Sequence, residues 1–152
     1  MKFNVKDVRD TIQHDNITIV AATKYFTTDH MRTLYELGIH DFGENRDDSF
    51  LQKYEALQDI DITWHFIGSL QTKKVKKVID KISYLHSLDN LKLAEEINKR
   101  RTTPLKCFLQ VNISNEETKH GLDFNDVVPF IQALKPYKMI DVIGFMGMAE
   151  FT

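Results

Sequence analysis

Short apolar segments alternate with helix-like segments along the whole chain, and this alternation constrains the fold more than any other feature. We count about six strand–helix steps, from a first strand at Ile17–Thr23 to a last one at Met139–Phe145. Connections of this length fit repeated right-handed crossovers, which join neighbouring parallel strands. The sequence therefore predicts an α/β protein built on a parallel sheet.

The apolar runs and helix signals define the predicted elements. The predicted strands are Ile17–Thr23, Ile39–Phe42, Thr63–Ile67, Ser83–His86, Leu105–Val111 and Met139–Phe145. The predicted helices are Val5–Gln13, a helix beginning at Asp29 and stopped by Gly38, a helix bearing Phe50 to Leu57, a basic helix from about Thr72 to Asp80, Leu91–Arg101 and Phe124–Leu134. Pro129 interrupts the first half of the last helix.

Two closures suit this pattern: a doubly wound open sheet or a barrel of the eight-stranded kind. No Gly-rich dinucleotide fingerprint follows the first strand, where Lys24–Thr27 stands instead, so the barrel is favoured. A full barrel needs eight strand–helix units and about 250 residues, and this chain has 152. We therefore expect an incomplete (β/α)8 TIM-type barrel with about six units, in which residues 1–152 form one domain that lacks the last units.

Composition excludes several classes of protein. The chain is 42% hydrophobic and 28% charged, with a net charge of −2, which argues against a surface built as a whole to bind nucleic acid. Cys107 is the only cysteine, so no intrachain disulfide is possible, and we expect a small buried hydrophobe. No signal-type region and no membrane-length apolar run is present, so we expect a cytoplasmic protein with no membrane partner.

Lys24 closes the apolar run Ile17–Thr23, at the point where a parallel strand would end at a barrel mouth. A desolvated lysine on a rigid strand is the residue type that forms an imine with an aldehyde cofactor. Burial there would favour the neutral amine that the reaction needs. Position alone is weak support, since strand ends often bear a solvated lysine.

Several segments near the strand ends together indicate a family. In chain order they are Val20–Lys24, Phe42–Asn45, Trp64–Gln71 with Lys74, His86–Asp89, Gln110–Asn112, Glu116–Lys119 with Gly121, and Gly144–Gly147. With these segments the sequence resembles the pyridoxal phosphate (PLP) homeostasis protein family, single-domain relatives of the fold-type III barrel of alanine racemase. The resemblance implies a PLP-binding protein that holds the cofactor as a Schiff base on Lys24 and contributes to intracellular PLP and amino-acid homeostasis.

The same resemblance suggests Asn45, His65 and Met146 as further cofactor-binding residues. Asn45 is equally suited to cap the following helix, and Met146 has a core position as its alternative. His65 and His86 would flank the cofactor if both pointed inward, but two histidines make a poor zinc site and packing is favoured, so no metal is expected. Glu44 would either orient Lys24 or be a solvated loop acid, and we favour the solvated acid.

The resemblance implies a carrier and not an enzyme. Two-domain racemases of this fold type draw a second base from an added β domain, and no such domain is found here. The Ser- and Gly-rich stretch and the later Arg-x-Gly segment that hold the cofactor phosphate in the family are also lacking, which suggests a truncated product with weakened affinity. PLP-dependent enzymes are candidate partners, and unpaired barrel edges favour either a monomer or a swapped, self-associated oligomer.

An alternative function is a nucleic-acid-binding or protein-binding module that acts through the basic helix 73–81, with PLP binding lost by truncation. Five lysines crowd this helix, namely Lys73, Lys74, Lys76, Lys77 and Lys81. Such a patch neutralises phosphates, but no aromatic stacking motif is interleaved with it. A solvated helix face is the better interpretation, and nucleic acid is not an expected partner.

Overall fold

A computed structural model describes residues 4–12, 16–114 and 120–150, and it has six strands alternating with helices. The strands are β1 Val20–Ala22, β2 Asp41–Glu44, β3 Thr63–Phe66, β4 Tyr84–Leu88, β5 Leu105–Gln110 and β6 Ile140–Met146. The helices are α1 Val5–Thr11, α2 Thr28–Glu36, α3 Asp47–Ala56, α4 Val75–Val78, α5 Leu91–Arg100 and α6 Val127–Ala133, with 3₁₀ turns at Thr72–Lys74 and Phe124–Asp126. The predicted C-terminal end of the first helix, Gln13, and the family-like segment 116–119 lie outside the described residues.

The six strands form one parallel sheet in the order β1-β2-β3-β4-β5-β6. Each crossover therefore steps to the next position in the same direction, as in a barrel, whereas a doubly wound sheet reverses its order at a switch point. Among the described residues β1 and β6 each pair on one side alone, so the sheet is not closed. The prediction of an incomplete barrel of about six units is confirmed.

The helices cover one face of the sheet, which we call the helix face. Strand residues at alternate positions, such as Phe42, Trp64 and Leu85, are buried there against apolar residues of α2 to α6 in a single core cluster. Cys107 belongs to this core, as predicted, and burial raises the pKa of its thiol to about 12. The intervening strand residues lie on the opposite face, which a closed barrel would turn inward and which we call the inner face.

The predicted first strand was too long at both ends. Pairing begins where Val20 lies opposite Asp41, the first residue of the four-residue β2. Residues before Val20 have no partner strand at that level, and Ile17 is half exposed. The helix Val127–Ala133 tolerates Pro129 because the proline lies in its first turn, where the backbone N–H has no intrahelical acceptor.

Candidate cofactor site at the carboxyl ends of β1 and β2

Lys24 lies in a tight turn just beyond β1. The backbone N–H of Phe26 donates to the carbonyl of Thr23 at 3.0 Å, which closes the turn around Lys24 and Tyr25. The side chain of Lys24 is exposed, and its Nζ is 5.1 Å from the centroid of the Tyr25 ring. The expected burial of Lys24 is therefore wrong, because the strand ends two residues earlier and the chain turns away from the sheet.

Asn45 follows β2 directly, and its environment is unusual for an amide. Its Oδ1 is buried and has no hydrogen-bond partner among the residues that the structure describes. The predicted capping role is wrong, because Arg46 occupies the N-cap position of α3. A Cβ atom at Gly68 would lie 2.4 Å from the Asn45 carbonyl oxygen, so glycine is required there for the segment after β3 to approach Asn45 closely.

Lys24 and Asn45 line the same surface cavity, which has a volume of about 420 Å³. The other lining residues are Tyr25, Arg46, Asp48, Ser49 and Gln52. The Arg46 guanidinium, hydrogen-bonded to the Asp48 carboxylate, lowers the pKa of Asp48 and makes it a weak base. The cavity thus brings together an accessible amine, an amide residue and an Arg–Asp ion pair.

A buried polar cluster lies beneath this cavity on the helix face. Glu44 is fully buried, and its carboxylate accepts hydrogen bonds from Lys53 Nζ, from Thr23 Oγ1 at 2.7 Å and from Ser49 Oγ at 3.3 Å. Lys53 Nζ also donates to the Thr23 carbonyl at 2.6 Å. The interpretation of Glu44 as a solvated loop acid is wrong, because α3 places a lysine opposite it.

Lys53 was not predicted as a site residue, although its helical spacing from apolar residues indicates a buried lysine. Lys53 stands three residues after Phe50 and four before Leu57, both of which are buried. This spacing puts the lysine on the apolar stripe of α3. A lysine in such a stripe needs a carboxylate partner, and Glu44 at the end of the preceding strand supplies it.

His65 lies on the inner face, within a network of three side chains. Its Nε2 is 2.7 Å from the Asp41 carboxylate, and its Nδ1 is 2.8 Å from Nε2 of His86. The ring stacks on Tyr84, with centroids 4.4 Å apart and planes 5° apart. Burial lowers the pKa of His65, and the neighbouring Asp41 carboxylate partly offsets this shift. Burial, with a smaller contribution from His65, lowers the pKa of His86 to about 4.

The Asp41 carboxylate sets the direction of this network. An ionised carboxylate can only accept, so His65 donates from Nε2 and its Nδ1 accepts from Nε2 of His86. Both ring nitrogens of His65 are thus engaged, and Nδ1 of His86 is the one without a partner among the described residues. Across the described part of the chain, no group of three or more His, Cys, Asp or Glu side chains is placed to hold a metal ion.

Met146 ends β6, partly buried and opposite Gln110 in the register. β6 and β1 are the two outer strands of the sheet order, and Met146 does not line the cavity of Lys24. The structure thus brings Lys24 and Asn45 together and places His65 and Met146 elsewhere. A cofactor contact by His65 or Met146 stays a prediction.

The lysines of the basic helix are partly neutralised by acids. Lys74 and Lys77 both approach the Asp47 carboxylate, at 3.2 and 3.7 Å, and Lys81 approaches Asp80 at 3.2 Å. The predicted long helix is a 3₁₀ turn followed by the four residues Val75–Val78. These pairings weaken the case for a phosphate-binding face, and the nucleic-acid alternative gains no support.

Six parallel strands in sequential order, with an amine just past the first, define a protein of the (β/α)-barrel class with a candidate site at the carboxyl ends of its strands. The sequence model of the family "alanine racemase, N-terminal domain" matches residues 1–151, and the chain belongs to that family. The predicted kinship is confirmed.

Curated relatives refine this kinship. The pyridoxal phosphate homeostasis protein of Aquifex aeolicus is 38% identical over 136 residues, which cover 88% of this chain and 60% of that protein. The protein of the same name from Schizosaccharomyces pombe is 33% identical over 154 residues, covering 95% and 65%. The chain therefore spans about 60% of the length of the first of these relatives and about two thirds of the second.

Solved structures of related proteins share the fold of this chain. PipY of Synechococcus elongatus PCC7942 with PLP bound has a TM-score of 0.85 and 27% identity, over 97% of this chain and 70% of PipY. Alanine racemase of Clostridium difficile has a TM-score of 0.68 at 16% identity, over 98% of this chain and 41% of the racemase, which shows a shared fold. None of the helices described in this chain combines the length and apolar character needed to cross a membrane.

Proposed function

We propose that this chain binds pyridoxal 5′-phosphate as a Schiff base on Lys24 and contributes to intracellular PLP and amino-acid homeostasis. The observation that carries the proposal is the surface cavity that Lys24 shares with Asn45, whose buried Oδ1 has no partner among the described residues. A buried acceptor without a donor is costly, and a bound ligand that supplied a donor would relieve that cost. PipY, which shares this fold at 27% identity, binds PLP.

The residues present fit the cofactor. PLP supplies an aldehyde, which condenses with an amine, on an aromatic ring that also bears a hydroxyl. Lys24 is exposed, so an aldehyde in solution reaches its Nζ without any opening of the protein. Asn45 lines the same cavity and adds an amide, and the paired Arg46 and Asp48 side chains form a polar wall.

We propose a carrier and not an enzyme. The curated relatives are named homeostasis proteins. Proton transfer at a substrate carbon needs a base of suitable pKa, and Asp48 in the cavity is held by Arg46 with a lowered pKa. Racemisation of alanine, assayed with PLP present, should stay at the rate of free PLP, and stereospecific turnover that depends on Lys24 would contradict the proposal.

Trapping experiments test the binding. Incubation with PLP followed by borohydride reduction should add one pyridoxyl group per chain, and peptide mapping should place it on Lys24. Lys24→Gln should lose this adduct, whereas Lys6→Gln is the matched control because Lys6 is an exposed lysine on α1 paired with Asp10. Equal labelling of wild type and Lys24→Gln would refute Lys24 as the binding residue.

Further parts of the proposal follow from the same kinship. We propose a cytoplasmic location, PLP-dependent enzymes as recipients of the cofactor, and residues 1–152 acting as one domain. The outer strands β1 and β6 leave backbone groups available for pairing, which supports self-association as the alternative to a monomer. Sedimentation of the protein over a range of concentrations distinguishes these two states.

A further inference from the structure

Thr23, the residue before Lys24, is held through all three of its polar groups. Its N–H donates to the Gly43 carbonyl at 3.1 Å, and its hydroxyl donates to Glu44 Oε1 at 2.7 Å. Its carbonyl accepts from Lys53 Nζ at 2.6 Å and from the N–H of Phe26 at 3.0 Å. A fully buried, immobilised residue thus directly precedes the exposed Lys24.

The Glu44–Lys53 pair supplies two of these four hydrogen bonds. Glu44 is fully buried and the Lys53 side chain is 8% exposed. Burial of two full charges costs desolvation, and apolar residues of similar volume often stabilise a fold as well or better. Stability alone is therefore a poor reason for an ion pair here, whereas directional bonds to one peptide group give a good one.

The same pair also reaches the second residue of the site. Glu44 ends β2 and directly precedes Asn45, and Lys53 lies on α3, whose first turn lines the cavity through Asp48 and Ser49. One buried pair therefore joins the turn bearing Lys24, the end of β2 and the helix at the cavity wall. Its position fixes the separation of the Lys24 backbone from Asn45.

We propose that Glu44 and Lys53 are positioning residues for Lys24: Lys53 anchors the Thr23 carbonyl, Glu44 anchors Lys53 and the Thr23 hydroxyl, and together they aim the Lys24 side chain at the cavity that contains Asn45. This inference rests on the proposed function, since the purpose of the aiming is capture of PLP. Neither Glu44 nor Lys53 lines the cavity, so both act through the turn Thr23–Phe26.

The double variant Glu44→Gln/Lys53→Met tests this inference, because it removes the bond to the Thr23 carbonyl without leaving a lone buried charge. Lys74→Met is the matched control. It removes a lysine that pairs with Asp47 of α3, the helix that also bears Lys53, but Lys74 makes no bond to Thr23. Thr23→Val is a milder second variant, which loses the hydroxyl bond to Glu44 and keeps the carbonyl bond, should the double variant fail to fold.

The first readout uses protein without PLP. The amide of Phe26 donates to the Thr23 carbonyl, so its hydrogen exchange reports the turn. We expect exchange at Phe26 to accelerate about tenfold or more in the double variant, while amides of β3 to β5 keep their protection. Lys74→Met should match wild type, and Thr23→Val should lie between the two.

The second readout separates aiming from the reactivity of the amine. Reductive alkylation by propionaldehyde, which has no ring or phosphate, should label Lys24 equally in all variants because that amine is exposed. Borohydride trapping with PLP should slow about tenfold in the double variant, since about 1.4 kcal/mol of lost orientation is one factor of ten. Lys74→Met should trap PLP at the wild-type rate.

Unchanged PLP trapping in the double variant would overturn the inference, and so would slowed trapping with an unchanged Phe26 amide, because the effect would not travel through the turn. In Thr23→Val the same two results would count against it. Wild-type protein that never labels Lys24 refutes the proposed function instead, and the Phe26 exchange then decides alone whether the pair holds the turn.

Discussion

β2 presents two polar regions on its two faces, and they handle charge in opposite ways. On the helix face, Glu44 and Lys53 are both buried and neutralise each other in an ion pair. On the inner face, Asp41 is partly exposed and is linked by hydrogen bonds to His65 and, through it, to His86. The lowered pKa values of both histidines keep them neutral. Asp41 and Glu44, three positions apart on one strand and so on opposite faces, thus face environments that demand either a neutral ring or a counter-charge.

The helix-face region is suited to fix the position of a backbone segment, and the inner-face region is suited to bind a proton. Every contact of the Glu44–Lys53 pair ends on a neighbouring hydroxyl, carbonyl or partner charge. The Asp41–His65–His86 chain instead ends on Nδ1 of His86, a lone pair with no partner among the described residues. The first region is expected to fail when a charge is removed, and the second when a proton is added.

Removal of one partner of the buried pair should have the largest effect. Lys53→Met leaves the Glu44 carboxylate buried without a cation, which should cost about 3–5 kcal/mol in the free energy of unfolding. Urea unfolding monitored by circular dichroism measures this loss. The Glu44→Gln/Lys53→Met double variant should recover most of it, and a loss below about 1 kcal/mol in the single variant would show that the pair is solvated.

Acidification should have the next largest effect, and it should act on the inner face. The pKa of His86 is about 4 in the folded protein against an ordinary value of 6.5, so the unfolded chain binds a proton first. Stability from this group is fully present above pH 6.5 and is lost as the pH falls towards 4. Allowing for partial solvent exposure of the ring, the loss should be about 2 kcal/mol.

Unfolding free energies of wild type and His86→Gln, measured from pH 7 to pH 4, check this expectation. The variant lacks the titrating ring and should lose clearly less stability over that range. A wild-type protein that became more stable on acidification would contradict the neutral assignment of the histidines.

The Lys74–Asp47 pair should give the smallest effect and so calibrates the Glu44–Lys53 pair, because Lys74 is partly exposed and Lys77 also lies near the Asp47 carboxylate. Lys74 and Asp47 are 3.2 Å apart, but the Lys74 side chain is 39% exposed. Pairs of this kind contribute about 0–1 kcal/mol. Lys74→Met should therefore lower the unfolding free energy by no more than about 0.5 kcal/mol, measured by urea unfolding at two salt concentrations. A loss comparable to that of Lys53→Met would erase the distinction between the two pairs.

Sequence patterns predicted the fold well because strand–helix alternation is a property of consecutive residues. The parallel sheet followed from short crossovers, the barrel was favoured because no dinucleotide fingerprint follows the first strand, and its incompleteness followed from length. The extent of β1 was missed because it depends on where β2 begins, which is a property of pairing. Residues 17–19 are apolar enough for a strand but have no partner at their level.

The site was predicted less completely, for a related reason. Motifs singled out Lys24 and Asn45, which the structure brings to one cavity. Burial of Lys24 and solvation of Glu44 were both wrong, because each depends on where the neighbouring turn and α3 place a side chain. The link between His65 and Asp41 joins residues 24 positions apart in sequence, and no local pattern announces it.

A crystal structure of the protein with PLP tests the central claim most directly. The account predicts continuous electron density between Lys24 Nζ and the aldehyde carbon of the cofactor, with a donor group of the ligand within hydrogen-bonding distance of Asn45 Oδ1. Density for PLP on another lysine, or a cofactor bound away from the ends of β1 and β2, would contradict it.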